Sequence, residues 1–240
     1  MSTQSAQPTL RELAGQALSS TAEGYDKLAP KFDASVFRTP ESVLAEVAGI
    51  VGEMEGGRAL DLCCGTGAAM EMLDSLGMEH LVGVDISEGM LAQAHKSLGE
   101  LLSTEFELKQ GDVRKLTFER EFDLAVMFGA TGHIRRRDQR VFLKGVYRAL
   151  KPGGRFFFVT SPEPTWWSPR RWMAWAFNQS IRIRNRVKKP AFHMYYLLLP
   201  VERAKHLLGD QGFEVAIHAP FEGPRLSTLR LVEGRRPEWA

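Results

Sequence analysis

The chain has 240 residues, 44% hydrophobic and 25% charged, which suits one soluble domain with a sizeable core. A formal net charge of +2 is too small to imply a polyanionic partner by itself, and the only two cysteines, Cys63 and Cys64, are adjacent, so there is neither a disulfide framework nor a cysteine-rich metal centre. No apolar run reaches the ~18 residues that span a bilayer, and Met1–Pro8 is polar with no run of signal-peptide length, so the expectation is one cytoplasmic domain over 1–240 with reduced thiols and no metal.

In chain order, Thr9–Ser20 reads as a helix, with Leu10, Leu13, Ala14, Ala17 and Leu18 at helical spacing. The segment "YDKLAPKFD" (Tyr25–Asp33) follows, broken by Pro30, and a second helix runs from Pro40 to about Val51 with proline in its first turn. After Gly56-Gly57 the pattern changes. Apolar runs at Ala59–Cys63, Leu81–Val84, Phe106–Leu108, Phe122–Phe128 and Arg155–Thr160 mostly alternate with helical segments at Ala68–Leu76, Ser87–Leu102 and Asp138–Leu150. Ser87 is an N-cap for the second of these. Strand–helix alternation predicts a parallel sheet with helices on both faces, and near-continuous apolar strands such as "LAVMF" fit a sheet covered on both sides. Toward the C-terminus, Pro162–Pro190 is rich in Trp and Arg, Pro200–Gly212 reads as a helix, and Phe213–Ala219 and Ser227–Val232 read as strands. The link "PFEGPR" is too short for a helical crossover, which makes that pair antiparallel.

The first strand leads into "ALDLCCGTGAAM" (Ala59–Met70). Gly65-Thr66-Gly67 follows a strand and opens a helix, and Asp85 closes the next strand, 18 positions after Gly67. This is the layout of a nucleoside-binding βαβ unit, in which glycines admit the ligand to the backbone and the distant acid holds ribose hydroxyls. A tight turn with no ligand is the plainer alternative. Asp61, four residues before Gly65, would repel a pyrophosphate and attract a cation, and Met70 stands where a dinucleotide fingerprint wants a small residue. Charge therefore favours S-adenosylmethionine, a phosphate-free sulfonium nucleoside, over NAD. The ligand's carboxylate would meet backbone N–H groups at the start of the Ala68 helix.

From about Tyr25 to Thr160 the sequence resembles the class I S-adenosylmethionine-dependent methyltransferases of small-molecule type. "LDLCCGTG", "VGVDISEGML", "QGDV", "FDLAVMFGATGHI" and "ALKPGGRFFFV" resemble successive motifs of that family, and "YDKLAPKFD" resembles its N-terminal motif. The resemblance implies a Rossmann-like α/β fold with a seven-stranded, mostly parallel sheet of order 3-2-1-4-5-7-6, its last strand antiparallel. It implies an N-terminal helical cover over 1–52 and a Trp/Arg-rich lid or insert over 162–200. The cofactor site it implies draws on Tyr25, Asp61, Cys63, Gly65 and Gly67, on Asp85 at the ribose, on Asp112 at the adenine amino group, and on Phe128 facing the methyl donor. Ile86, Met90 and Val113 are placed to sandwich the purine, with core packing as the alternative. The cofactor would be S-adenosylmethionine and the product S-adenosylhomocysteine.

His133, just past the fourth strand, is the candidate general base; the alternative is a histidine that only orients loop or substrate. His193 is the other histidine of interest. No Gly-x-Ser-x-Gly elbow, P-loop or His-Glu-x-x-His site is present, and "FGAT" replaces the Asn/Asp-Pro-Pro-aromatic run of nucleic-acid amino-methyltransferases. In the insert, Pro164–Val201 contains no acid but holds Arg170, Arg171, Arg182, Arg184, Arg186, Lys188 and Lys189. Trp166, Trp167, Trp172 and Trp175 precede most of these cations. Ser168-Pro169 is a helix start and Pro190 an end. Three readings stay open. Trp166 and Trp167, with His193 and Tyr196, line a pocket for a hydrophobic or anionic small molecule; or residues 166–190 dock on an anionic membrane and the acceptor is a lipid or quinone; or the helix simply packs on the sheet. Remoter alternatives are an NAD(P)-dependent oxidoreductase and a non-catalytic adenosylmethionine-binding protein. Oligomeric state and acceptor atom are open.

Overall fold

A computed structural model describes residues 7–224 and 226–239. The start of the polar N-terminus, Arg225, and the side chains of Leu10, Ala14 and Ala17 from the expected helical stripe lie outside the described residues. Seven strands form one sheet: β1 (Arg58–Leu62), β2 (His80–Asp85), β3 (Glu105–Gln110), β4 (Phe122–Met127), β5 (Leu150–Thr160), β6 (Glu214–His218) and β7 (Arg230–Arg235). Their order is β3-β2-β1-β4-β5-β7-β6, with β1 to β5 parallel and β7 antiparallel to both neighbours, as expected.

Period-2 alternation gives each central strand two apolar faces. In β4, Ala125 and Met127 join one core while Leu124 and Val126 join the other; in β5, Phe156 and Phe158 oppose Phe157 in the same way. Two apolar faces need two covers. Helices α3 (Glu41–Val51), α4 (Ala68–Ser75) and α5 (Glu88–Leu101) supply one through Val47, Leu73 and Leu98. On the other face, α6 (Gln139–Ala149) and α8 (Val201–Gly209) contribute Phe142, Val146 and Leu207. The loops after β1, β2 and β4 therefore share one sheet edge, the place where open α/β folds bind ligands.

Three differences from expectation have local causes. The expected Thr9–Ser20 helix is α1 (Leu10–Ala17), and a further helix that the sequence pattern did not give, α2 (Thr21–Leu28), begins behind Ser20. Ser20 and Glu23 form a reciprocal capping box, with Glu23 N–H donating to Ser20 Oγ at 3.1 Å and Ser20 N–H to Glu23 Oε2 at 3.2 Å. Tyr25 thus sits inside a helix, and Pro30 falls in the 3-10 turn Ala29–Ala34 that follows. Strand β5 starts at Leu150, because Leu150 already pairs with Phe122 before a break in register. Strand β7 starts at Arg230, because the chain turns back on itself through Ser227 N–H to Gly223 O and Leu229 N–H to Leu226 O. The last long helix is α7 (Pro169–Val187), in the insert.

Candidate active site

The loop leaving β1 is shaped by left-handed residues. Cys63, the first residue past the strand, has φ +60, Gly65 +55 and Gly67 +94. At Gly67, which caps α4, a Cβ would also stand 2.7 Å from Leu98 Cδ1, so the position needs glycine twice over. Asp85, at the end of β2, holds this loop: its oxygens accept from Gly65 N–H at 3.0 Å and Ser87 N–H at 2.9 Å. Asp26 reaches across from α2 and accepts from Ser87 Oγ at 2.6 Å and Gly89 N–H at 2.9 Å, pinning the N-terminal helices to the start of α5.

Asp61 is 2% exposed, and its Oδ2 has no hydrogen-bond partner. Burial, and secondarily the neighbouring Asp85, push its pKa up to about 8. A buried carboxylate with a bare oxygen is a costly feature unless a cation or donor arrives. Burial also pushes the Cys63 and Cys64 thiols well up, and the nearby Asp85 and Asp61 add to it.

Asp61 opens into a cavity of about 150 Å³. Cys63, Gly65, Asp85, Ile86 and Met90 line it from the sheet edge; Tyr25, Phe32 and Arg38 close it from the N-terminal side; Phe128 and His133 stand at its far end. A neighbouring cavity of about 250 Å³ shares Thr21, Cys63, Ile86 and His133 with it and adds Asp112 and Val113. The structure thus brings the sequence-expected cofactor residues together, with two qualifications. Gly67 shapes the loop without forming part of the wall. Asp112 does not present a free carboxylate: Arg114 Nε donates to its two oxygens at 2.7 and 3.0 Å, and Nη2 to Oδ2 at 2.6 Å. Burial raises the Asp112 pKa, but these charged hydrogen bonds outweigh it and hold the group below the ordinary carboxylate value. Arg114 follows two residues later in the turn after β3, so Asp112 captures it locally before any ligand can.

His133 ends the short turn Thr131–His133 behind β4. Its Nδ1 bonds to the His193 carbonyl and its Nε2 lies 3.0 Å from the Tyr25 hydroxyl. A carbonyl can only accept, so Nδ1 carries the proton and Nε2 offers its lone pair to Tyr25. Burial lowers the His133 pKa, against the opposing pull of the His193 carbonyl, and keeps the ring neutral at pH 7. The turn is clamped: Tyr195 N–H donates to Gly132 O at 3.0 Å, and a Cβ on Gly132 would collide with the Tyr195 carbonyl.

Beyond Phe128, Gly129 and His133 lies a third chamber of about 790 Å³. Its walls are largely apolar: Val36 and Phe37 from the N-terminal side, Val159 from β5, Met173 and Phe177 from α7. Arg38 lines both this chamber and the Asp61 cavity, and pairs with Asp33 at 3.3 Å. Of the expected acceptor residues, Tyr196 lies in this wall. Trp166 and Trp167 do not: they are 69% and 64% exposed and pack on each other with ring centroids 5.3 Å apart. They precede α7, whose inward stripe supplies Ala174 and Phe177 in their place, with the exposed Met173 beside them. His193 lies in the Asp112 cavity instead, and meets His133 through its backbone carbonyl. Phe37, Arg38 and the inward stripe of α7 are absent from the sequence reading. The three- and four-residue spacing of Ala174, Phe177 and Ile181 was the available signal for the stripe; no local pattern marks Phe37 or Arg38.

Residues 59–154 match a family described as "Methyltransferase domain". A demethylmenaquinone methyltransferase of Lactococcus lactis subsp. lactis is 36% identical over 118 residues, 48% of this chain and 46% of that protein. A demethylmenaquinone methyltransferase of Bacillus cereus is 29% identical over 148 residues, 59% of this chain and 62% of that protein. The chain spans about half the length of the curated relatives it matches. Among solved structures, DhpI in its SAH complex superposes with a TM-score of 0.66 at 18% identity, covering 95% of this chain and 99% of that one. A SAM-dependent methyltransferase from Methanosarcina mazei gives a TM-score of 0.59 at 20% identity, covering 77% and 94%. At these identities the likeness establishes the fold.

Proposed function

Residues 59–154 belong to the methyltransferase-domain family and sit in a sheet of class I methyltransferase topology, and on that premise we propose that the chain transfers a methyl group from S-adenosylmethionine to an apolar, ring-containing small molecule. The observation that carries this reading is Asp61, a buried carboxylate with a bare oxygen at the head of a cavity that leads past Phe128 into a large apolar chamber. A dinucleotide would bring phosphates to that carboxylate; adenosylmethionine brings cations. The amino and carboxylate groups of its amino-acid end share one carbon. Ala68 and Ala69 at the start of α4 would hold its carboxylate, and Asp61, which lines the same cavity, would hold its ammonium. Each Asp85 oxygen has lone-pair capacity left for ribose hydroxyls, and Ile86 and Val113 flank the neighbouring cavity as purine-stacking surfaces.

When bound, the cofactor supplies a methyl group already activated by its sulfonium. The chain has to exclude water, aim the acceptor and take up a proton where the acceptor releases one. Phe128, Gly129 and His133 mark where the two compartments meet, so the acceptor atom arrives there. His133 Nε2 is the base: its lone pair, parked on the Tyr25 hydroxyl, becomes available to an acceptor hydroxyl or ring proton that displaces it. The relatives' name, demethylmenaquinone methyltransferase, together with the chamber's apolar walls, supports a quinone-class acceptor. The test has two arms. Calorimetric titration should give adenosylmethionine binding and no NAD binding. Labelled methyl should pass to a short-chain demethylated quinol in detergent. NAD binding without adenosylmethionine binding would return the chain to the oxidoreductases, and binding without transfer to any apolar acceptor would leave a non-catalytic binder.

A further inference from the structure

Helix α7 is apolar on two sides. Its inward stripe, Ala174, Phe177, Ile181 and Asn185, repeats at three- and four-residue intervals and is partly or fully buried. The opposite ridge, Trp172, Ala176, Ile183 and Val187, broken by Gln179 and Ser180, is exposed, with Trp172 58%, Ile183 60% and Val187 84% open to solvent. Trp175 and Met173 flank the ridge, and Trp166 and Trp167 stand out just ahead of it. A soluble helix normally turns polar residues outward; an exposed ridge with several large apolar side chains marks contact with an apolar phase or partner.

The charge on this face is one-sided. Between Pro164 and Val201 there is no acid. Arg171 pairs with Glu163 at 3.0 Å, and Arg184 turns inward to the carbonyls of Ser19 at 2.8 Å and Pro190 at 2.6 Å. Arg170, Arg182, Arg186, Lys188 and Lys189 are exposed and have no carboxylate partner among the described residues. A third observation ties the face to the chamber: Met173, 67% exposed, belongs to both, and Arg170 and Pro164 border the same opening.

We propose that α7 and the Trp166–Trp167 turn dock this protein on an anionic bilayer. The tryptophans lie at the acyl boundary, Arg182, Arg186, Lys188 and Lys189 rest on headgroups, and the chamber opens to the lipid phase. No helix among the described residues is long and apolar enough to cross a membrane, so the contact is peripheral. That an acceptor enters from the lipid rests on the quinone-class reading above; the docking itself rests on the surface. Other occupants fit less well. A second copy packed face to face would set these cations against each other with no acid between them. RNA would use the cations and leave Ile183 and Val187 in water.

The experiment is vesicle flotation of the full chain without substrate, using phosphatidylcholine vesicles with and without phosphatidylglycerol. The chain should float with the anionic vesicles at low salt and be released as salt rises. Two double variants, Trp172→Ser with Trp175→Ser and Arg182→Glu with Arg186→Glu, should each bind about tenfold more weakly or worse. None of these four side chains lines any of the three cavities described above, so adenosylmethionine titration and detergent-phase methylation by both variants should stay unchanged. The docking proposal is overturned if the unsubstituted chain stays unbound at low salt, if the variants float as well as it does, or if the tryptophan variant only dissolves a dimer. It also fails if RNA, and not vesicles, is retained. Failed flotation with intact detergent-phase methylation rejects docking alone. Flotation without methylation rejects the acceptor reading alone.

Discussion

Asp61 is destabilising as it stands, because folding takes its carboxylate from water and gives one oxygen no partner. Its pKa is raised from 3.8 to about 8, so between those values the folded chain holds a proton that the unfolded chain releases. Stability from this group is therefore full below the unfolded value and is lost as pH rises through about 8. Asp61→Asn should raise the melting temperature of the ligand-free protein most above pH 8, less at pH 5 and not at all below the unfolded value of 3.8, while abolishing adenosylmethionine binding. Differential scanning fluorimetry across pH with a parallel titration checks both halves. A cation binding there also expels the proton, so calorimetry at pH 7 in buffers of different ionisation enthalpy should report net proton release. His133 has the opposite displacement: burial lowers its pKa below 6.5, so it stays a base at mildly acid pH. The acid limb of the turnover–pH profile should lie below 6.5, and His133→Gln should cut turnover by 10²-fold or more, on the order expected for a general base, with cofactor affinity little changed. Equal turnover in that variant would confine His133 to holding Tyr25.

Among the elements, α2 has the most to do per residue. It is short, exposed on one side, and carries both Tyr25 and Asp26 into the site. Its capping box is worth about 1 kcal/mol by the usual cost of losing an N-cap. Ser20→Ala should lower stability by about that amount in urea unfolding and should weaken cofactor binding with it, since a frayed α2 withdraws Tyr25. The contrast between α2 and the sheet explains what was legible in the sequence. Strands such as "LAVMF" are apolar on both faces, and Asp85 and Gly65 sit at strand ends where position alone assigns them an edge. The resemblance then supplied the strand order. By contrast, Phe37 and Arg38 enter the site from a loop with no periodicity, and Trp166 and Trp167 look like a pocket in the sequence but face outward. Which way α7 turns depends on Ala174, Phe177 and Ile181, residues whose burial is decided by distant partners. The capture of Asp112 by Arg114 was equally hidden, because an Asp-x-Arg spacing is common and only the turn after β3 folds the two together.

At the scale of the molecule, the site is a seam between the sheet edge and everything that lies over it. Asp26 holds α2 to α5, Thr21 Oγ1 accepts from His193 N–H at 2.8 Å, and Arg184 holds α7 to the end of α1 through Ser19. These bonds join the N-terminal cover and the insert to one another across the cavity. A ligand that fills the seam should therefore protect both covers together. Saturating adenosylmethionine, at 100 times its dissociation constant, should stabilise the chain by about 2.7 kcal/mol. Hydrogen exchange should slow in 21–34 and 191–199 as well as in the β1–α4 loop. Slowing restricted to the loop would show that the covers move independently of the site.

The bare oxygen of Asp61 has one more consequence, for the end of the reaction rather than its start. If it binds the ammonium of the cofactor's amino-acid end, it binds a group that methyl transfer leaves untouched. S-adenosylhomocysteine keeps that ammonium, the same ribose hydroxyls for Asp85 and the same purine for Ile86 and Val113. Only the sulfonium charge is gone. An enzyme anchored in this way holds its spent cofactor nearly as well as its fresh one, so product inhibition is built into the anchor. Progress curves should bend early, and an added hydrolase that removes S-adenosylhomocysteine should straighten them.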